Sequence, residues 1–402
     1  MPVKFLYSTE TDLSIDNGPG INEREFVHAL LKDFGDEVIC VVPYPKHPNN
    51  YFNSGINYVF PHKSHPARYP LFLVALFFKI WQFNCVNQFK ALVFRLGVAP
   101  IVPLLLPRIL RKPMFLKTLA GYAMFERKNR RWSRKLLAVF ALPIYKTVIQ
   151  QMHAADTVSF AYVEWLQFKF GIGRDRLCLI PNGINIEVFS PQDRNARRAE
   201  LGLDRFTKIV GYVGALDSLR HLEDLIRCVR DVQNIGQVGV VLVGSGSDRD
   251  SLEKLVRLLG LQEHVIFTGA IPYKDVPKYM NTFDVGIDLS LVPMHVNGNV
   301  LYASYSQKIP QYVSCGVPVI AWDTLDTQFL KQERIGDIAA VGDINRLAQA
   351  IKRLLTMNDS EYTQLRLRAR AYAEANFSAK VLAGQRIAFW RSALATQTRS
   401  EK

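Results

Sequence analysis

Short apolar, β-branched runs alternate along the chain with longer segments whose apolar residues recur every three or four positions. Val3 to Tyr7 reads as a strand, Asn17-Gly18-Pro19-Gly20 as a turn, and the segment through Phe26, Leu30 and Leu31 as a helix. Strand patterns follow at Val38–Val42, Ala91–Phe94, Met114–Thr118 and Thr157–Phe160, with an apolar helix from about Leu71 and another ending near Gln150. Leu177–Ile180 is one more apolar run, closed by the turn cluster Pro181-Asn182-Gly183.

Beyond that turn the rhythm restarts. Strand patterns occur at Ile209–Val213, Val238–Val243, Val265–Thr268, Val285–Leu289 and Val319–Ala321. Helix patterns separate them at about Glu223–Val232, up to Leu259, and at Gln307–Cys315, where Gly316 and Pro318 supply the stop. Strands divided by helices predict parallel sheets covered on both faces. The expectation is an α/β chain of two doubly wound, Rossmann-like domains facing across a cleft, residues 1–185 and 186–379, with a last helix at about 380–395 packing back on the first. Ligands of such sheets lie beyond the carboxyl ends of the strands.

With 402 residues, about half of them apolar, each domain is long enough for its own core. The five cysteines are scattered, without metal or redox spacing, and the first residues lack the pattern of a signal peptide, so a cytoplasmic protein is expected. The net charge of +14 calls for an anionic partner. Much of it lies between Arg108 and Lys135, beside the apolar runs Leu71–Phe78 and Leu96–Leu106, which are too short or too proline-broken to span a bilayer. Two readings stand: a surface that rests on anionic lipid at the inner face of the cell membrane, or a solvated basic helix beside a buried one. No nucleic-acid module is recognisable.

P-loop, nucleophile-elbow, zincin and paired-cysteine motifs are absent. Asp248-Arg249-Asp250 imitates a metal motif but sits at a helix start, where acids are favourable anyway. What remains suits a phosphate-bearing ligand. Gly18 and Gly20 open the first helix and let backbone N–H groups approach an anion, or simply make a tight turn. Gly214 ends a strand, with Arg220 ahead of the next helix. Lys308 falls in the first turn of the Gln307–Cys315 helix, where a cation is unfavourable unless an anion joins it.

Three segments of the second half resemble the nucleotide-sugar half of the family 4 glycosyltransferases, which have the GT-B architecture. They are Tyr212-Val213-Gly214 with Arg220; Val241-Leu242-Val243-Gly244-Ser245-Gly246 with Phe267-Thr268-Gly269; and Ser306-Gln307-Lys308-Ile309-Pro310-Gln311-Tyr312 running on to Ser314-Cys315-Gly316-Val317-Pro318. The resemblance implies a retaining transferase that moves a sugar from a nucleotide-diphosphate sugar to a lipid-linked or envelope polysaccharide acceptor. The base would lie near Gly244 and Gly269 to Ile271, the diphosphate would meet Arg220 and Lys308, and no metal or other cofactor is expected. Departures are Ala303 and Gln311 where the family often has two glutamates, and Ala215 where an arginine is common. Gln311 would still bind ribose by hydrogen bonding. The role of the first glutamate would pass to the loop Pro293–Asn299, with His295 and Asn297, and the family histidine finds no substitute in Thr118-Leu119-Ala120-Gly121. Arg95 and Lys117, at strand ends, read either as phosphate ligands or as solvated cations. A nucleotide-sugar epimerase or hydrolase using Glu10, Asp12 or Asp16, or a non-catalytic nucleotide-sugar-binding relative, is the alternative.

Overall fold

The computed structural model describes residues 4–48, 51, 53–60, 68–97, 100–117, 132–232, 235–304 and 306–400. The chain divides into two compact units. The first comprises the described residues up to Gly183, with His295–Asn299 and everything from Ala379 on; the second comprises Ile184–Met294 and Val300–Ser378.

In the first unit the order is β1 (Phe5–Thr9), α1 (Gly18–Phe34), β2 (Val38–Pro43), β3 (Asn57–Val59), α2 (Tyr69–Cys85), β4 (Ala91–Arg95), α3 (Ile101–Leu110), β5 (Met114–Leu116), α4 (Trp132–Gln151), β6 (Ala154–Thr157), α5 (Phe160–Phe170) and β7 (Leu177–Leu179). The strands form a parallel sheet of order β3-β2-β1-β4-β5-β6-β7. The sixth strand begins three residues earlier than its apolar pattern suggests, and β3 is too short to announce itself.

In the second unit follow α6 (Arg194–Glu200), β8 (Lys208–Val213), α7 (Leu222–Val232), β9 (Val238–Val243), α8 (Arg249–Leu258), β10 (Val265–Gly269), α9 (Val276–Met280), β11 (Val285–Asp288), β12 (Val292–Val296), β13 (Asn299–Ala303), α10 (Lys308–Ser314), β14 (Val319–Trp322), α11 (Phe329–Gln332), β15 (Gly336–Ala339), α12 (Ile344–Leu355) and α13 (Asp359–Asn376). The main sheet is parallel, of order β10-β9-β8-β11-β14-β15. Successive strand residues serve opposite cores. Val210, Tyr212, Val240 and Leu242 pack with α7, α8 and α12, whereas Ile209, Val241 and Val243 pack with α9, α10 and α13. Burial on both faces is why these strands read as unbroken apolar runs.

Both strand orders reverse once, between β1 and β4 and between β8 and β11. The crevice at such a reversal, at the carboxyl ends of the strands, is where doubly wound sheets take ligands.

The final helix, α14 (Ala379–Ser400), belongs to the first unit. Its Ala383, Ile387 and Trp390 enter the core with Phe5 and Phe26. Its buried Arg386 pairs with Asp156 at 3.1 Å and donates to the carbonyls of Ile180 and Pro181, fixing the chain at the turn where it leaves this unit.

Candidate functional site

At the reversal point of the second sheet, β8 ends in Tyr212-Val213 and β11 ends in Asp288. Lys308, first residue of α10, sends its ammonium to Asp288 Oδ1 at 3.2 Å and donates to Ser290 Oγ at 3.1 Å. It also lies 5.5 Å from the centre of the Tyr212 ring. Ser290 donates both its hydroxyl and its backbone N–H to Asp288 Oδ1, so the carboxylate is anchored before it anchors the lysine. The anion that a cation at this helix start requires is therefore supplied by the protein itself.

Burial alone would raise the Asp288 carboxyl, but Lys308, the hydroxyls of Ser290 and Ser306, and Arg220 outweigh it and hold it below the ordinary aspartate range. Burial, and next to it the charge of Arg220, draw the Lys308 ammonium below its usual value, while Asp288 opposes them. Arg220 thus acts on the same site. It ends the turn Ser218–Arg220, and its Nε, 3.3 Å from Asp217 Oδ1, is buried without a hydrogen-bond partner. A guanidinium nitrogen left short of an acceptor is what an anion site offers.

Above these groups the ends of β8, β9 and β10 are laced together. Gly214 N–H donates to Val243 O and Gly244 N–H to Gly269 O, each at 2.9 Å. Gly244 has φ of +139°, and a Cβ there would overlap the carbonyl oxygen of Gly214. Its glycine is thus required by backbone contact, which also keeps this rim free of side chains. Ile271 is half-buried beside it against the core of this unit. Gln311 stands one turn along α10 from Lys308, buried, its amide 3.5 Å from the Tyr273 hydroxyl. Arg220, Lys308, Gly214, Gly244, Gly269, Ile271 and Gln311 are all carried by this one unit, most of them at the carboxyl ends of its strands.

Pro293–Asn299 differs from the loop expected from the sequence. It is the tip of a β-hairpin, β12–β13, closed by Asn297 and Gly298 with φ of +48° and +78°. That two-residue turn suits the Asn-Gly pair, a signal legible in the sequence. His295 and Asn297 are exposed on it. Ala303 is buried in β13.

In the first unit Gly18 and Gly20 lie in the first turn of α1, capped by Asn17, whose side chain accepts from Gly20 N–H at 2.8 Å. A side chain at Gly20 would overlap the Ile15 carbonyl, so packing alone requires that glycine. Lys117 departs from the strand-end cation expected of it. Its side chain is 1 % exposed and pairs with the fully buried Glu23, 4.2 Å from the Phe26 ring centre. Arg95 shares Glu23 at 2.9 Å and retains 17 % exposure. Burial would raise Glu23, yet Lys117 and Arg95 bring it down to about 2, while burial, ahead of the nearby arginines, lowers Lys117 to about 8. The sequence concealed this cluster because Glu23 lies 94 positions from Lys117, so no local pattern joins the two. Asp12 accepts from Ser14 and from Lys46 N–H, Glu10 accepts from Tyr69, and Asp16 pairs with Arg24, so each of the three acids has a structural bond. Thr118–Gly121 lies outside the described residues. Among the described residues no three His, Cys, Asp or Glu side chains group as metal ligands.

Known proteins share this fold. Residues 193–375 match the family profile described as glycosyl transferases group 1, a span that falls on the second unit. The chain is similar to the Anabaena Alr3699/HepE structure in complex with UDP, at a TM-score of 0.70, 18 % identity and coverage of 97 % of this chain and 100 % of that one. The fold is GT-B. Sucrose-phosphate synthase from Thermosynechococcus elongatus matches at a TM-score of 0.72, 20 % identity and coverage of 98 % and 100 %. Among curated relatives, D-inositol 3-phosphate glycosyltransferase of Mycobacterium marinum is 27 % identical over 225 residues, 54 % of this chain and 46 % of the relative. The chain thus spans about half the length of the curated relatives it matches.

Proposed function

We propose that this protein is a retaining glycosyltransferase that moves a sugar from a nucleoside diphosphate sugar to a lipid-linked or envelope polysaccharide acceptor. The observation that carries the reading is the pair Lys308 and Arg220 under the glycine rim at the reversal point of the second sheet. Glycosyl transfer converts a diphosphate ester into a departing diphosphate. An ammonium and a guanidinium fixed where that charge grows favour the transition state over the bound substrate. The charge is supplied by side chains, and the scheme calls for no metal. The UDP-bound Anabaena relative supports a nucleoside diphosphate as donor, with uridine sugars the first to try. In this scheme the second unit takes the donor, Gln311 the ribose, and the first unit the acceptor, with Arg95 the cation there that keeps access to solvent. The acceptor class places the reaction at the cytoplasmic face of a membrane, with the protein associated peripherally. Among the described residues no helix is long and apolar enough to cross one.

Incubation with nucleotide sugars tests this directly. Release of nucleoside diphosphate that depends on acceptor supports transfer; epimerised donor or acceptor-independent hydrolysis supports the alternative chemistry, and binding without turnover a non-catalytic protein. Lys308→Ala should lower kcat/KM by about tenfold or more. Unchanged turnover in that variant would remove the diphosphate role.

A further inference from the structure

Two helices of the first unit leave their apolar faces in water. On α2, Leu71, Val74 and Phe78 are 60, 54 and 63 % exposed, and Trp81 continues the same face at helical spacing. On α3, which packs against α2, Ile101, Leu105 and Ile109 form a second exposed stripe, four residues apart. Scattered exposed apolar residues are ordinary, but two aligned stripes on adjacent helices are not.

The stretch of sequence that holds these helices is one-sidedly basic. From residue 38 to residue 155 the chain has 17 Lys and Arg and a single acid, Glu126, a net charge of +16. The whole chain carries +14, so everything outside that span sums to −2. Neither α2 nor α3 contains an Asp or Glu. Arg68 at the start of α2 and Arg108 and Arg111 at the end of α3 are exposed beside the stripes.

We propose that the exposed faces of α2 and α3 dock the protein on an anionic bilayer, Leu71, Val74, Phe78, Trp81, Leu105 and Ile109 entering the interface while the flanking cations meet lipid phosphates. The helices lie in the membrane surface and do not cross it. Apolar stripes flanked by the exposed cations Arg68, Arg108 and Arg111 are what such a surface needs, and together they fit the bilayer better than a second copy of this chain, whose matching face would bring like charges together. The inference deepens the acceptor part of the proposed function and rests on it only for the purpose of docking.

The test is co-sedimentation of the full chain with vesicles of phosphatidylglycerol and phosphatidylcholine in equal parts, against phosphatidylcholine alone, with UDP binding measured on the same preparations by calorimetry. The expected result is partition about tenfold or more stronger to the anionic vesicles, weakened by added salt. Leu71→Ser/Phe78→Ser, and independently Leu105→Ser/Ile109→Ser, should each cut it by about tenfold with the thermal midpoint and UDP affinity unchanged. Equal partition to both compositions, no sedimentation of the wild type, or variants that bind like it would overturn the docking surface. So would a concentration-dependent dimer in ultracentrifugation that the substitutions abolish while vesicles capture nothing. A wild type that binds UDP but does not dock refutes this inference alone, and one that docks without binding UDP refutes the donor reading alone.

Discussion

Asp288 and Lys308 show how one residue sets up another. The lysine is held in place by a buried carboxylate that is itself fixed by Ser290. Asp288→Asn removes the charge and keeps the shape, leaving the ammonium free to swing away. The expected outcome is a fall in kcat/KM of about tenfold, seen in initial rates with a nucleotide sugar, together with a lower thermal midpoint because Lys308 loses its buried partner. Glu23 carries a different load. Replacing it by Gln strands Lys117 and Arg95 against one another in the core, and urea unfolding should register a loss of about 3–5 kcal/mol. Its pH signature has a definite sign. Glu23 is held near 2, against 4.5 for the free side chain, so its stabilisation is full above about pH 4.5 and fades as pH falls toward 2. Lys117, lowered to about 8, weakens the fold below that pH, and the penalty recedes as pH climbs toward 10.5. The urea midpoint of the wild type should therefore drop on acidification through the lower window, and that of Glu23→Gln should drop less.

Among the elements, the glycine rim is the most exacting. Gly244→Ala would force a methyl group into the Gly214 carbonyl and part the ends of β8 and β9. We expect UDP affinity, measured by calorimetry, to fall about tenfold or more, together with a lower thermal midpoint. The last helix is as necessary to its own unit: ending the chain at Ser378 strips Trp390 and Ile387 from the core and leaves Asp156 without Arg386, so the truncated protein should aggregate on expression. The apolar runs of the second sheet were legible because both faces of those strands are buried. Short or one-sided elements are harder to read: β3 spans three residues, β15 holds the polar Asp337 within its four, and β12–β13 reads as a loop although Asn297-Gly298 marks a hairpin turn. Lys308, Arg220 and Gln311 stand in the motif, whereas nothing in it points to Asp288, the carboxylate that the structure sets against Lys308. Its clue was an acid closing the otherwise apolar stretch Val285–Leu289, where only a partner from elsewhere in the sequence makes burial tolerable.

At the scale of the molecule, two Rossmann-like units repeat one strand order, and each has a core of its own. The division near residue 185 was legible from the restart of the strand rhythm, while the pairing of Arg386 with Asp156 joins residues 230 positions apart and leaves no local trace. Since a ligand stabilises only the fold that binds it, saturating UDP should raise the melting of the second unit by mass action, about 2.7 kcal/mol at a hundred times Kd. The central claim, that Arg220 and Lys308 hold a nucleoside diphosphate in that unit, is tested most directly by isothermal titration of UDP into wild-type, Arg220→Ala and Lys308→Ala proteins. The account predicts saturable binding to the wild type and at least roughly tenfold weaker binding to each variant. Undiminished affinity in both variants, or no binding of any nucleoside diphosphate by the wild type, would contradict it.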